Sequence, residues 1–415
     1  MSTDTPPVEP EAADALPEIA PVPAVEPTAR LDSIDAYRGL VMFLMMAEVL
    51  RFGAMARNFP GSDVWRFLAD QQDHVEWIGC VAHDMIQPSF SFLVGVALPF
   101  SIASRMAKGQ SKGLMTAHAL WRALVLILLG VFLRSVGRPQ TYWTFEDTLS
   151  QIGLGYPLLF LLGWQSRKVQ GIALTALLVG YWLLFAAYPT PGEGFDYVAH
   201  GVRADWPHLM NGFQAHWNKN SNPAWAFDTW FLNLFPREKP FLYNGGGYAT
   251  ISFIPTLATM ILGLLAGGVL KERRTPWSKI GLLAAAGVVA AAVGWGLGAA
   301  GLCPVVKRIW TPSWTLYSGG ICFLLLAGFY FVMDVLGWKA WAFPLRVIGM
   351  NSIAAYCLAH LVEDFLVAGF HTHLGPDVFK VFGAPYEPFV QGVATLLALW
   401  LILLWMYRRR LFLRV

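Results

Sequence analysis

About ten stretches of roughly 20 apolar residues recur along the chain, and that length is what one helix needs to cross the hydrocarbon core of a bilayer. They lie at about 37–56, 77–104, 116–136, 147–166, 170–189, 248–270, 277–301, 313–336, 345–369 and 387–407. The first is the weakest, because Glu48 and Arg51 interrupt it, and the ninth carries Asn351, His360, Glu363 and Asp364. The composition agrees: hydrophobic residues make up 56% of the 415 residues and charged residues 14%, against about 25% charged in an ordinary soluble domain. A soluble protein of this size has no interior for so much apolar surface, whereas a bilayer accepts it. The expected fold class is therefore all-α, a polytopic transmembrane helical bundle whose first partner is the lipid bilayer. A net charge of +3 argues against a broad nucleic-acid surface. The four cysteines, Cys80, Cys303, Cys322 and Cys357, sit in apolar surroundings without CxxC spacing and read as buried thiols. No metal site is expected.

Residues 1–29 hold seven Pro and six acidic residues with no Lys or Arg, too little apolar surface to fold. They read as a disordered cytoplasmic tail, and they lack the basic start and apolar centre of a signal peptide. Residues 30–415 then form one transmembrane domain. Its orientation follows from Lys and Arg in the short loops. With the N-terminus inside, fourteen basic residues fall on cytoplasmic segments: Arg105, Lys108, Lys112, Arg167, Lys168, Lys271, Arg273, Arg274, Lys279, Lys339, Arg408, Arg409, Arg410 and Arg414. Eight fall outside: Arg51, Arg57, Arg66, Arg134, Arg138, Lys307, Arg308 and Lys380. Both termini are expected in the cytoplasm.

One connection is long. Residues 190–247 form an outside loop with the runs His216-Trp217-Asn218-Lys219-Asn220-Ser221-Asn222 and Asn244-Gly245-Gly246-Gly247. Loops of this length are usually functional or disordered, and the aromatics argue against disorder. Trp and Asn suit sugar binding by ring stacking and hydroxyl hydrogen bonds; a structural cap in the interfacial aromatic belt suits them equally.

Ionisable groups within a membrane are costly, so each is a functional candidate. The densest group is Asp73-His74-Val75-Glu76-Trp77 followed by His83-Asp84-Met85-Ile86-Gln87-Pro88. If this segment is helical, Asp84 lies ten residues, about 15 Å, deeper than His74. Trp77, Val81 and Asp84 then share one face and His83 turns partly away. Pro88 is expected to break the helix and free carbonyls for a ligand. His74 suits proton abstraction at a pocket mouth, or is a hydrated interfacial histidine. Asp84 orients such an imidazole, binds an amino group, or forms an internal salt bridge. Asn351 and Ser352 either join helices or line a polar cavity. His360 lies at the outer end of the ninth span, on the side of His74. On the inner side, Arg38, Arg122 and Arg346 start the first, third and ninth spans, as headgroup anchors or as receivers of phosphate. There is no Walker motif, strand-borne GxGxxG or HExxH.

Several of these residues fall in recognisable patterns. Ser33-Ile34-Asp35-Ala36-Tyr37-Arg38-Gly39 resembles the S-x-D-x-x-R-G opening of the heparan-alpha-glucosaminide N-acetyltransferase family. His74-Val75-Glu76-Trp77-Ile78-Gly79, with Asp84, Pro88, Phe90, Phe92 and Gly95, resembles its H-x-x-W-x-G…D-x-x-x-P-x-F-x-F-x-x-G block. Trp121-Arg122, Gly349-Met350-Asn351-Ser352 and the closing Tyr407-Arg408-Arg409-Arg410-Leu411-Phe412 resemble its W-R, G-M-N-S and Y-R-x-x-x-F. The likeness runs from about residue 30 to 415. It implies ten spans in a bacterial inner membrane and acetylation across them, with acetyl-CoA from the cytoplasm and an amino sugar or glycan acceptor on the periplasmic side. The family's active-site His falls on His74 and its following Asp on Asp84. The chain departs from the pattern at Leu149-Ser150-Gln151-Ile152, where many members carry L-Q-R, and at Glu48, beside a position where some have Asn. His360 is offset by one from the family's ninth-span His.

The expected activity is therefore acetyl transfer. His74 and Asp84 are the catalytic candidates, and Glu48, Trp77, Asn351, Ser352 and His360 the candidates for acceptor binding. Arg38, Arg122 and Arg346 are the candidates for holding acetyl-CoA. Asn351 is a candidate oxyanion donor, since a buried amide there is worth roughly 3 kcal/mol. The competing reading is a sugar or amino-sugar transporter with a midplane site at a broken second span. The sequence leaves a homodimer open.

Overall fold

Fifteen α-helices form among residues 31–413, the part of the chain that the computed structural model describes, and no strand does. The tail expected over residues 1–29 lies outside the described residues. In chain order the helices are α1 (Asp32–Met46), α2 (Phe52–Asn58), α3 (Asp63–Gln72), α4 (Ile86–Ala107), α5 (Lys112–Ser135), α6 (Thr148–Leu162), α7 (Arg167–Ala186) and α8 (Pro223–Phe231). They continue with α9 (Phe253–Lys271), α10 (Pro276–Ala299), α11 (Pro312–Phe329), α12 (Phe343–Gly349), α13 (Ser352–Leu361), α14 (Glu363–Leu374) and α15 (Glu387–Arg408).

Starts are set by capping side chains. Ser111, Asp147, Ser166, Thr275 and Thr311 each accept an N–H from the first turn of the helix they precede. Thr275-Pro276, Thr311-Pro312 and Asn222-Pro223 add a proline where the missing N–H costs nothing. Eight helices, some extended by a short 3-10 or π turn, are long and apolar enough to cross a membrane; a ninth counts if the bent pair around Asn351 is one span. The fourth expected span is the 15-residue α6, shorter than the roughly 20 residues a full crossing takes.

α4 and α9 are central: 61% and 72% of their most apolar windows are buried, against 17% in α7 and α10. They pack backbone to backbone, since a Cβ on Gly95 would meet the Met260 carbonyl at 1.9 Å, and one on Gly263 the Phe92 carbonyl at 1.9 Å. α1 and α12 cross in the same way through Gly39 and Gly349, the small-residue contact that lets helices associate in lipid. Two family-like motifs, R-G and G-M-N-S, thus meet at one crossing.

Three expected spans depart from plain helix, each at a polar residue. α1 gives way to a 3-10 turn over Ala47–Leu50, and Arg51 takes a left-handed conformation (φ 53°), so the first span breaks at Glu48. Residues 73–81 are not helical; α4 begins only at Ile86 after a 3-10 turn over Ala82–Met85. The expected 15 Å between His74 and Asp84, and the shared face of Trp77 and Asp84, therefore do not arise. Pro88 is the third residue of α4, where a backbone N–H has no intrahelical partner, so it breaks nothing. The ninth span bends by 68° between α12 and α13.

Asp32 at the start of α1 pairs with Arg346 of α12 at 3.1 Å, and Asn351, just beyond α12, bonds Leu411 and Leu413. Both ends of the described chain thus meet at one end of the bundle. At the opposite end, residues 190–247 fold as a cap around Trp217, which is fully buried against Phe185.

Candidate active site

His74 is delivered by the irregular segment after α3. Arg308 donates to the Val75 carbonyl from Nε and Nη2, and to the Gly246 carbonyl at 3.0 Å. Gly79 donates to Val305 at 3.1 Å. The connection between α10 and α11 is thereby stitched to residues 75–79, and it brings Lys307 to the imidazole. Asp84, fully buried, collects them: Oδ1 lies 2.8 Å from His74 Nδ1 and 3.2 Å from Lys307 Nζ, while Oδ2 accepts N–H groups from Val81 and Val75. A carboxylate so close needs a donor, so Nδ1 carries the proton and the lone pair sits on Nε2, which has no hydrogen-bond partner among the described residues. Burial holds the His74 imidazole below its ordinary value of 6.5, and the Lys307 charge adds to this while the bond to Asp84 opposes it. Burial and the Lys307 charge both favour the neutral ring. Burial likewise lowers Lys307, against the pull of Asp84.

His74 opens into a cavity of about 260 Å³. Beside it stands His83, with ring centroids 4.7 Å apart and Nε2 3.1 Å from Glu48 Oε1. The facing wall carries Arg134, Glu146 and Asp147, with Tyr248 from the cap and Tyr356 and His360 from α13. Asp147 caps α6 through Oδ1, and its buried Oδ2 has no hydrogen-bond partner among the described residues. Burial raises both Glu146 and Asp147, with Arg134 opposing. Such a chamber offers a basic imidazole, three carboxyl groups and two cations to a small polar ligand.

A second cavity of about 380 Å³ lies at the other end of the bundle, where Arg38, Arg105 and Arg122 converge beside Ser352 and Phe412, and no acidic residue lines it. Arg122 lies 4.7 Å over the Tyr156 ring and its buried Nε lacks a partner among the described residues, which suits an anionic ligand. Five helices, α1, α4, α5, α6 and α13, line both cavities. Gln87 faces the first and Phe90 the second on α4; Tyr356 and Ile353 do so on α13, and Thr148 and Ile152 on α6. On these three helices the nearest lining residues are three or four positions apart, about 4.5–6 Å along the axis, whereas on α1 (Arg38, Met45) and α5 (Leu126, Arg134) they are seven or eight apart, about 10–12 Å.

The structure thus gathers His74, Asp84, Glu48 and His360 at one cavity, and Arg38, Arg122 and Ser352 at the other. The remaining three candidates stand elsewhere. Trp77 is fully buried and donates its indole N–H to the Trp217 carbonyl. Asn351 is spent on the Leu411 carbonyl and the Leu413 N–H and does not line the chamber of His74, so it is not an oxyanion donor there. Arg346 is paired with Asp32 and does not line the arginine cavity. In the cap, Asn218, Asn220 and Asn222 are buried and bonded to backbone, and Asn222 caps α8; these asparagines hold the loop's own shape. Sequence reasoning missed Lys307, Arg105, Glu146, Asp147 and Tyr248, and set His83 aside. Lys307 had one signal, the charged pair Lys307-Arg308 between the apolar residues Val305-Val306 and Ile309-Trp310. Among the described residues no group of three or more His, Cys, Asp or Glu is arranged to hold a metal.

No family model matches the chain. Two curated proteins are similar to it along most of its length. The heparan-alpha-glucosaminide N-acetyltransferase of Homo sapiens is 24% identical over 382 aligned positions, covering 81% of this chain and 53% of that protein. The Mus musculus protein of the same name is 23% identical over 426 positions, covering 93% of this chain and 60% of its own length. The chain thus spans little more than half the length of the curated relatives it matches. The chain is thus similar by sequence, along most of its length, to two heparan-alpha-glucosaminide N-acetyltransferases, and the His and Asp that carry the resemblance, His74 and Asp84, are in contact in the structure.

Proposed function

We propose that this protein is a transmembrane acetyltransferase that takes the acetyl group of cytoplasmic acetyl-CoA and delivers it to the amino group of a sugar or glycan on the periplasmic side. The observation that carries this reading is the pair of cavities on five shared helices, one lined by arginines and one by a basic histidine with carboxyl groups. The phosphates of CoA meet Arg38, Arg105 and Arg122, whose guanidinium groups suit them. The pantetheine arm is narrow enough to lie between α4 and α13, which brings the thioester to the thin layer below His74. His74 then acts through Nε2, as a base toward the amine or as the first acceptor of the acetyl group, and Asp84 holds its tautomer and orientation. Carboxyl groups at Glu48, Glu146 and Asp147 suit an ammonium or sugar hydroxyls. The orientation, with both termini and the arginine cavity inside a bacterial inner membrane, follows from the loop charges.

Purified protein reconstituted in vesicles, with labelled acetyl-CoA on the arginine side and glucosamine on the other, tests this directly. Labelled N-acetylglucosamine on the far side is the expected product. Glucosamine uptake without acetyl-CoA dependence overturns the reading in favour of transport.

A further inference from the structure

Two imidazoles stand side by side in the outer cavity, and only one is used by the reading above. His83 is 8% exposed and lines the chamber. Its Nε2 is held by Glu48 at 3.1 Å, and no bond engages its Nδ1 among the described residues. The pair is built rather than incidental. Glu48 sits on the 3-10 turn that ends α1, and Gln72 at the end of α3 grips that turn by donating to the Ala47 carbonyl at 2.6 Å and accepting the Phe52 N–H at 2.9 Å. The neighbouring Gln71 accepts the N–H of Ala82, the residue before His83, at 3.0 Å. One helix end therefore fixes both members of the pair.

We propose that His83, oriented by Glu48, is the general base that accepts the proton of the attacking amine, while His74 carries the acetyl group on Nε2. This rests on the acetyltransferase reading. Its chemical ground is that acetylated His74 has nothing left with which to take a proton. Its Nε2 is bonded to the acetyl carbon, and its Nδ1–H is committed to Asp84, whose Oδ1 also holds Lys307. In the first half-reaction His74 Nε2 attacks the thioester carbonyl, the C–S bond breaks, and CoA leaves as the thiolate. In the second, the amine nitrogen attacks the acetyl carbon and its proton passes to His83 Nδ1. The C–Nε2 bond then breaks, its electron pair returns to His74, and His83 releases the proton to the outer side. With Nε2–H donated to Glu48, the lone pair needed on Nδ1 is present from the start.

The test follows label on the protein. Incubation with [acetyl-labelled] acetyl-CoA should leave label on wild type that glucosamine discharges, and none on His74→Ala. His83→Ala should take up label at close to the wild-type rate but discharge it to glucosamine about 10²- to 10⁴-fold more slowly, the range a positioned base supplies. His83→Gln, which keeps a polar group beside Glu48, should be equally slow and guards against a folding defect in the alanine variant. Wild-type discharge in either His83 variant overturns the proposal, as does acetyl transfer by wild type without label ever residing on His74. A wild type that acetylates no amine overturns the acetyltransferase reading itself.

Discussion

The two cavities share α1, α4, α5, α6 and α13 as walls and differ in almost everything those walls present. One gathers three arginines with no lining carboxylate; the other sets three histidines and three carboxyl groups against Arg134 and Lys307. Fixed charge of one sign attracts a ligand of the other and costs no reorganisation when it arrives. Mixed, partly neutralised groups instead move protons, because burial and neighbours hold their protonation states close to exchange. Under the proposed function the arginine site holds and the histidine site reacts, and variants of each should fail differently.

The largest effect is expected from His74→Ala, a loss of about 10³-fold or more in acetyl transfer with acetyl-CoA affinity retained. A variant that lost binding instead would collapse the division between the two sites. Arg122→Ala and Arg38→Ala should each weaken acetyl-CoA binding about tenfold or more, read as a raised KM, since a lost charged hydrogen bond is worth about 1.5–3 kcal/mol. Their pH profiles should superimpose on wild type. Lys307→Met should do the opposite. His74 works as the neutral base, so kcat/KM falls as pH drops through its pKa, below 6.5 in the wild type because burial and Lys307 disfavour the imidazolium. Without Lys307 the stranded Asp84 favours that imidazolium, and the acidic limb should move to higher pH in steady-state profiles. The smallest effect is expected far from both cavities, at Asp228 in α8, whose carboxyl is raised to about 7 mainly by burial. The folded state keeps a proton there that the unfolded chain releases at about pH 4, so stability falls between those two values as pH rises. Asp228→Asn should flatten the decline of Tm across that window and leave transfer unchanged.

Much of this was legible in the sequence. Apolar runs placed the spans, and five short patterns in order pointed to His74 and Asp84. Their contact was not legible, because a helical reading of residues 74–84 holds them apart; tertiary bonds from Arg308 and Val305 keep 75–79 extended, and no local pattern announces them. Lys307 reaches His74 across 233 residues, a pairing that periodicity has no means to express. Glu48 was visible as a flaw in the first span, yet its partner His83 was dismissed by the same helical geometry. Asn351 failed in the other direction: a polar residue within an apolar run invited a chemical role, and the helix break that it occupies gave it a structural one.

The thinness of the layer between the cavities has an electrical consequence. With both chambers wet, most of the membrane potential falls across the layer between them rather than across the full bilayer. Moving one elementary charge through it costs or releases about 2.3 kcal/mol per 100 mV. In the steps proposed above, CoA is left as the thiolate on the arginine side and the amine's proton is released on the other, so each transfer moves the equivalent of one positive charge through the layer. The rate of such a protein would therefore respond to the membrane potential.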